Sequence, residues 1–318
     1  MNDLDRLEKM MKSIRIKNII CKVSFYVECF CVGVILLVNY IFNDLFYNSN
    51  NYILGIFYAI CLILFLVSLR LKKNLTEKVK YESAIFNNEF KSKFTINVFN
   101  EMFTNVIYNQ NGGFQRIIID SVFCKKISDM YNSSDYIIAN YNNVNFEFSN
   151  IKAETKNSND TGNIYKTIFC GQWYIFDFNK NFNGDIRIIQ KHFLDNNIED
   201  KSGLLRFKKI ETENILFNEL FDVYVENELE SFYILTPQFI EKIVDFQRSV
   251  NCDLIFHFCN NKFHIGINSN RFLFEPNINK SIDLKVERDN IISSMKMIIE
   301  IIDVFDLDDS SFNNGSIL

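Results

Sequence analysis

The 318-residue sequence is poor in proline, glycine and tryptophan, with 2, 10 and 1 of each, but it contains 33 phenylalanines. Its abundant residues, Phe, Asn, Ile and Lys, are encoded by AT-rich codons, which favours an AT-rich bacterial genome as the source. Asparagine pairs such as Asn142-Asn143 and Asn260-Asn261 are therefore not interpreted as a prion-like tract.

An excess of positive charge is also absent. The chain has 34 Lys and Arg against 39 Asp and Glu, a net charge of −5, so its composition gives no argument for nucleic-acid binding. Hydrophobic residues make up 48% and charged residues 23%, which excludes an intrinsically disordered chain. The length predicts roughly two domains.

Familiar catalytic signatures are missing as well. The chain contains no GxSxG, HExxH, GxxxxGK[ST] or GxGxxG motif. It has only three histidines, His192, His257 and His264, and their spacing does not order them with a cysteine such as Cys170 into a triad. These absences favour a non-enzymatic role without cofactors, although they do not exclude an enzyme.

The eight cysteines include no CxxC pair. The most suggestive cluster is Cys252, His257 and Cys259, with His264 across a predicted turn, because thiolates and imidazoles at hairpin spacing can bind zinc. On a strand, however, Cys252 projects to the face opposite His257 and Cys259. We therefore predict ordinary strand residues and no metal site here, and no disulfide framework in a cytosolic domain.

Two long apolar runs lie near the N-terminus. Residues 23–42 form a 20-residue run with one carboxylate, Glu28, and residues 52–69 form an 18-residue run without charge. A helix needs about 20 such residues to cross a bilayer core of about 30 Å. We predict a transmembrane helical hairpin over residues 23–73; a buried soluble hairpin is the alternative. A cleaved signal peptide fits poorly, because the first run is too long and no small-x-small site follows it.

Basic residues lie at the outer ends of both runs, in residues 1–22 and 70–80, whereas the linker 43–51 contains none. The positive-inside rule then predicts a multi-pass protein of the bacterial cell membrane with both termini in the cytoplasm. Residues 1–73 carry a net charge of +4 and the remainder −9, so a basic collar would face the lipid headgroups.

Two details of this membrane segment stay open. Glu28 is expected at the membrane interface or against the second helix, with a functional intramembrane carboxylate as the alternative. The basic lead, residues 1–22, places Leu4, Leu7, Met11 and Ile14 on one helical face. That face fits either an amphipathic helix on the inner leaflet or a cytosolic extension of the first span.

Residues 74–305 are predicted to form a cytosolic α+β domain with an antiparallel sheet, because strands and helices mix without regular β-α alternation. It begins with a long amphipathic helix, whose aromatic and aliphatic stripe reaches Val106 and which ends near residues 109–113. Residues 155–163 are predicted as a loop tip and 306–318 as an acidic, flexible tail. Strands are predicted at 117–123, 136–141, 144–148, 167–178, 186–189, 205–210, 223–225, 254–258 and 263–267, and helices at 217–221, 237–250 and 289–305.

The densest turn signal runs from Asp177 to Gly184, where Asn and Gly suit left-handed turn conformations. We treat this segment, together with residues 218–224, as a candidate ligand or partner loop; a structural turn is the alternative. The candidate residues are Asp177, Asn179, Lys180, Gly184, Asn218, Glu219 and Tyr224.

Several short motifs occur in a characteristic order. They are Phe169-x-Gly171, Asp177-Phe178-Asn179-Lys180-x-Phe182-x-Gly184, Phe217-Asn218-Glu219-x-Phe221-x-Val223-Tyr224, Tyr233-Ile234-Leu235-Thr236-Pro237-x-Phe239 and Phe274-Glu275-Pro276. This order resembles an uncharacterised bacterial membrane-protein family named domain of unknown function 3137. The sequence departs from the family around Ser134-Asp135-Tyr136, with Ala139 where a glycine is expected. The resemblance implies two spans, a long helix and a shared fold, but no activity and no catalytic residues.

Three functions follow as expectations. A membrane-anchored cytosolic interaction or scaffolding module, binding a protein partner or its own copies, is favoured by the hairpin, the aromatic helix and the missing catalytic motifs. One alternative is a ligand-sensing or enzymatic domain tethered to the membrane. The other is a subunit of a transport assembly built around Glu28.

Overall fold

The computed structural model describes residues 3–42, 52–159, 162–178, 184–276 and 284–308. The chain divides into two compact units, one of Met1–Lys91 with Pro276–Glu287, the other of Ser92–Glu275 with Arg288–Leu318. The predicted linker 43–51, the candidate residues Asn179 and Lys180, and most of the predicted tail lie outside the described residues.

The first unit is built on two long helices, α1 (Asp3–Phe42) and α2 (Tyr52–Glu89). Helix α1 is continuous, so residues 3–17 extend the first apolar run instead of forming a separate helix. Leu7, Met11 and Ile14 on its predicted apolar face are buried.

Polar contacts join the two helices in antiparallel register. Arg6 Nη2 lies 2.7 Å from Glu89 Oε1, and Ser24 Oγ donates to the carbonyl of Ser68 at 2.9 Å. Lys72 Nζ lies 3.0 Å from Glu28 Oε2. Glu28 therefore faces the second helix, one of the two positions expected for it.

Away from this seam the apolar runs are exposed. Both helices are long and apolar enough to cross a membrane, and only 17% and 11% of their most apolar 18-residue windows are buried. A core helix of a soluble protein would bury most of such a window.

After α2 the chain passes through a π-helical segment, Phe90–Thr95, into α3 (Ile96–Met102). The second unit then forms a nine-stranded sheet in the order β1-β2-β3-β4-β9-β8-β5-β7-β6, with every neighbouring pair antiparallel. The mixed helix and antiparallel-sheet class is thus confirmed. The strands are β1 (Thr104–Asn109), β2 (Met130–Tyr141), β3 (Val144–Asn159), β4 (Gly162–Asp177), β5 (Ile186–Gln190), β6 (Lys208–Ile210), β7 (Phe221–Val225), β8 (Asp253–Cys259) and β9 (Lys262–Asn268).

Helices cover both faces of this sheet. On one face, Trp173, Ile189 and Ile255 share a buried cluster with Ile119 and Phe193 from two short helices. On the other, the rings of Phe256, Phe258 and Phe263 contact those of Phe239 and Phe305. The remaining helices are α4 (Ile117–Phe123), α5 (Lys191–Asn197), α6 (Ile215–Leu220), α7 (Glu228–Ile234), α8 (Pro237–Val250) and α9 (Leu284–Val304), with a 3-10 turn at Leu204–Arg206.

Two predicted elements are wrong in type. Residues 117–123 were expected as a strand from a residue pattern of period two, but they form α4. Ile119, Val122 and Phe123 lie at helical spacing and are buried, so packing overrides local propensity. The long helix was expected to include Val106, but it ends at Met102; Phe103 is extended, with φ −128° and ψ 158°, and Val106 lies in β1.

Other boundaries also shift. The predicted loop tip 155–163 is largely strand, because β3 continues to Asn159 and β4 begins at Gly162. Residues 205–210 contain the end of the 3-10 turn followed by β6. The helix Pro237–Val250 has the predicted bounds and N-cap, with Thr236 Oγ1 accepting from Phe239 N. The predicted turn at Asn260-Asn261 joins β8 to β9, and both asparagines have positive φ, 51° and 57°.

The hairpin register makes a prediction that can be tested in membranes. In a background whose eight cysteines are changed to serine, we expect Ser24→Cys and Ser68→Cys to form a disulfide on mild oxidation, because both buried residues meet at the interhelical seam. A protease site placed in residues 43–51 would then give fragments that separate on gels only after reduction. The matched control is Tyr26→Cys with Ser68→Cys, since Tyr26 is 69% exposed. Equal crosslinking of both pairs would contradict the register.

Candidate functional site

Polar side chains cross one face of the sheet in the second unit. Arg187 on β5 lies opposite Tyr224 on β7 and His257 on β8, and His257 lies opposite His264 on β9. Residues two positions along a strand share a face, so Asp185, Cys259, Lys262 and Asp177 continue the pattern at the next position. We call this set the polar belt: Asp177, Asp185, Arg187, Tyr224, His257, Cys259, Lys262 and His264.

The strands that carry the belt are apolar on their other face. Phe256 and Phe258 alternate with His257 and Cys259, and they pack in the aromatic core of the opposite face. Further from the β8–β9 turn, the face of the belt itself becomes apolar, with Ile189 and Ile255 in its core cluster. The belt therefore lies at one end of an otherwise apolar layer.

Arg187 is the most deeply buried charge of the belt, at 2% exposure. Its Nη2 donates to Asp185 Oδ2 at 2.8 Å, and its guanidinium stacks 3.7 Å from the ring centroid of Phe207. The same nitrogen lies 3.4 Å from Cys124 Sγ and 3.4 Å from the carbonyl of Ser121, at the end of α4. The ion pair and the cation–π contact offset part of the cost of burying this charge.

Hydrogen bonds assign the proton of His264. Trp173 Nε1 donates to His264 Nδ1 at 3.4 Å, and an indole N–H can only donate. Nδ1 is therefore the acceptor, and the proton of the neutral ring lies on Nε2. That Nε2 is 3.7 Å from Cys259 Sγ and points its hydrogen toward the sulfur.

His257 is fixed from its other side. Its Nε2 lies 2.9 Å from Asp185 Oδ1 and donates a hydrogen bond to that carboxylate, which is also paired with Arg187. The ring then presents an unprotonated Nδ1, which lies 3.8 Å from Cys259 Sγ. The contacts form a directed relay from Trp173 through His264, Cys259 and His257 to Asp185.

Burial sets the resting protonation of this relay. It lowers the pKa of His264 to about 3, with a further contribution from the neighbouring His257. Burial also lowers the pKa of His257, against the opposing effect of Asp185. It raises the pKa of the Cys259 thiol to about 11. At neutral pH the relay is a neutral thiol between two neutral imidazoles.

The sequence grouped Cys252, His257, Cys259 and His264, and the structure brings the last three together. Within the described part of the chain, no group of three or more His, Cys, Asp or Glu side chains is placed to hold a metal ion.

The predicted loop residues do not converge on one place. Asp177, at the end of β4, accepts from Lys262 Nζ and from Asn145 Nδ2. Tyr224 lies on the same face four strands away, about 19 Å at ordinary strand spacing. Gly184 is buried and directly precedes Asp185 in the chain. The strands that carry the other belt residues lie between those of Asp177 and Tyr224 in the sheet.

Asn218 and Glu219 lie on α6. Asn218 Oδ1 accepts from the backbone N and the hydroxyl of Thr212, both at 2.9 Å, and its Nδ2 donates to the carbonyl of Thr212. These bonds hold the chain that enters α6. The side chain of Glu219 is exposed. Neither residue contributes to the belt's relay.

Sequence reasoning missed Asp185 and Arg187. The available signal was the run Ile186–Ile189, in which Arg187 is the only residue that is not isoleucine. A charge inside such a run predicts a buried partner, because unpaired buried charges are strongly disfavoured.

The lowered pKa values of both histidines predict acid sensitivity. Between the lowered pKa values in the folded chain and the ordinary histidine pKa of 6.5, the unfolded chain binds more protons. The contribution of these histidines to the free energy of unfolding is therefore fully present above pH 6.5 and falls as the pH decreases. The limiting slope is about 1.4 kcal/mol per pH unit for each histidine. Trp173, the only tryptophan and fully buried, reports unfolding by its emission in denaturant titrations from pH 7 to pH 5. The double variant His257→Gln, His264→Gln should make the free energy of unfolding less dependent on pH. A wild-type denaturation midpoint that does not change with pH would contradict the lowered pKa values.

Neither the curated proteins nor the solved structures gave a significant match. A family model described as Protein of unknown function (DUF3137) matches residues 167–307. The matched region holds every motif that suggested the resemblance and all eight residues of the polar belt. The resemblance predicted from the sequence is thereby confirmed over residues 167–307.

Proposed function

We propose that the chain is a membrane-anchored cytosolic interaction module of a bacterial cell membrane. The observation that carries the proposal is the exposure of the two apolar runs of α1 and α2, whose windows are only 17% and 11% buried. Water would be a costly environment for two such surfaces, and a bilayer removes that cost without any further protein contact.

Charge supports the orientation of the anchor. Basic residues flank the outer ends of both runs, and the linker 43–51 has no Lys or Arg. By the positive-inside rule both termini and the second unit lie in the cytoplasm. The transport alternative has less support, because Glu28 is paired with Lys72 within the hairpin.

The surface of the second unit supports an interaction role. Leu229, Phe232 and Tyr233 lie at positions i, i+3 and i+4 of α7 and are 77%, 50% and 77% exposed. Ile215 and Leu216 on α6 are 73% and 52% exposed. Exposed apolar groups of this kind are typical of sites where another protein binds.

The anchor and its orientation predict a labelling pattern in intact cells. In a cysteine-free background, Asn48→Cys should react with a membrane-impermeant maleimide, because it lies in the linker between the two spans. A matched chain that retains only Cys252 should react only after the membrane is permeabilised. Both chains should stay in the pellet after carbonate extraction. Labelling of Cys252 in intact cells, or release of the chain by carbonate, would contradict the proposal.

The interaction role predicts a second pattern. Lysine-reactive crosslinking in native membranes should give a species larger than the monomer, and Leu229→Glu with Tyr233→Glu should reduce its yield several-fold, because charge opposes desolvation of the α7 face. Gln238→Glu is the matched control, since Gln238 is exposed on the adjoining helix α8. Mass spectrometry of the species distinguishes a second copy from another protein. A chain that gives no crosslinked species larger than the monomer would contradict the interaction role.

A further inference from the structure

The relay around Cys259 has the parts of a nucleophilic site, although the sequence shows no recognised motif for one. Cys259 and His257 lie two residues apart on β8 and therefore share a face of the sheet. Asp185 holds the ring of His257 from the far side at 2.9 Å. A thiol, an imidazole with a free ring nitrogen and an orienting carboxylate are the groups that nucleophilic cysteine chemistry uses.

We propose that Cys259 is a nucleophile that accepts an acyl group from an activated ester or thioester, with His257 as its general base. His257 Nδ1 is a proton acceptor 3.8 Å from the sulfur, and the tautomer of its ring is already set by Asp185. This proposal goes beyond the role of an interaction module and does not depend on it.

The surroundings stabilise the charges that proton transfer would create. When the thiol proton moves to His257 Nδ1, the imidazolium is stabilised by the Asp185 carboxylate. The thiolate faces the Nε2–H of His264 at 3.7 Å, which becomes a charge-assisted donor. Burial raises the pKa of the Cys259 thiol, but the positive charge of Arg187 lowers it and so favours the thiolate.

The resting state is nevertheless the neutral pair, because burial raises the pKa of Cys259 to about 11 and lowers that of His257. The proton therefore leaves the sulfur as the new bond forms, which is general-base catalysis and not attack by a preformed thiolate. His257 is 1% exposed, whereas Cys259 is partly exposed at the end of β8, so an electrophile has to approach from that end of the strand.

The acylation step balances without an additional reactant. The sulfur of Cys259 attacks the carbonyl carbon, a C–S bond forms, and the thiol proton passes to His257 Nδ1. The C–O bond of an ester, or the C–S bond of a thioester, breaks, and the leaving group departs with the electron pair. The proton on His257 is then available to the departing oxygen or sulfur.

The test uses the full chain in detergent micelles with p-nitrophenyl acetate as the probe. We expect one equivalent of p-nitrophenolate in an initial burst, and an acetyl group on the peptide that contains Cys259. Cys252 is an internal control, since it is also partly exposed and burial also raises its pKa. Cys259 should acylate at least about tenfold faster than Cys252, a lower bound on the roughly 10²–10⁴-fold contribution typical of a positioned general base.

Variants distinguish base catalysis by His257 from simple accessibility of Cys259. His257→Gln should slow acylation of Cys259 by about tenfold or more while leaving Cys252 unchanged, and Cys259→Ser should remove the burst. The buried emission of Trp173 checks that each variant is folded. The within-protein comparison of Cys259 with Cys252 needs no variant and stands even if His257→Gln does not fold. Equal acylation of the two cysteines, or an unchanged rate at Cys259 in folded His257→Gln, would overturn the proposal.

Discussion

The buried ion pair between Arg187 and Asp185 is the interaction on which the polar belt depends. Asp185 accepts from Arg187 at 2.8 Å and from His257 at 2.9 Å, so one carboxylate neutralises the arginine and sets the histidine tautomer. Removing the carboxylate would leave a guanidinium at 2% exposure without its counter-ion. Such a loss typically costs several kcal/mol, because the remaining charge stays buried and unpaired.

The antiparallel sheet makes this arrangement available from residues far apart in sequence. Arg187 comes from β5 and Asp185 directly precedes that strand, whereas His257 and Cys259 come from β8, which pairs with β5 directly. His264 follows from β9 because the two-residue turn at Asn260-Asn261 fixes the register of β8 against β9. A shift of one residue in either pairing would turn the affected side chains to the aromatic face.

Much of the fold could be predicted from sequence where a local signal was strong. The Asn260-Asn261 turn, the capped helix Pro237–Val250 and most strands of the sheet carry such signals, and they were found. Ile117–Phe123 was not, because β-branched residues favour a strand locally while the buried spacing of its side chains suits a helix.

The site was less predictable than the fold. The candidate ligand or partner residues named from the sequence, in 177–184 and 218–224, were chosen for their turn chemistry and stay a prediction. The relay lies mainly on the strands of the belt, and its members Asp185 and Cys259 are brought together only by the register of β5 against β8. Alternation along β8 did predict that His257 and Cys259 share a face, but no local rule indicated which carboxylate would meet them.

The belt is difficult to explain as a device for stability alone. The adjoining part of the same face is filled by Trp173, Ile189 and Ile255, which shows that apolar side chains can cover this layer. Replacing a buried ion pair by well-packed apolar residues is often neutral or stabilising, so stability gives little reason to keep Arg187 and Asp185. Two histidines with lowered pKa values add a further cost when the pH falls. A directed set of donors and acceptors that passes through a partly exposed thiol is better explained by what it does to that thiol.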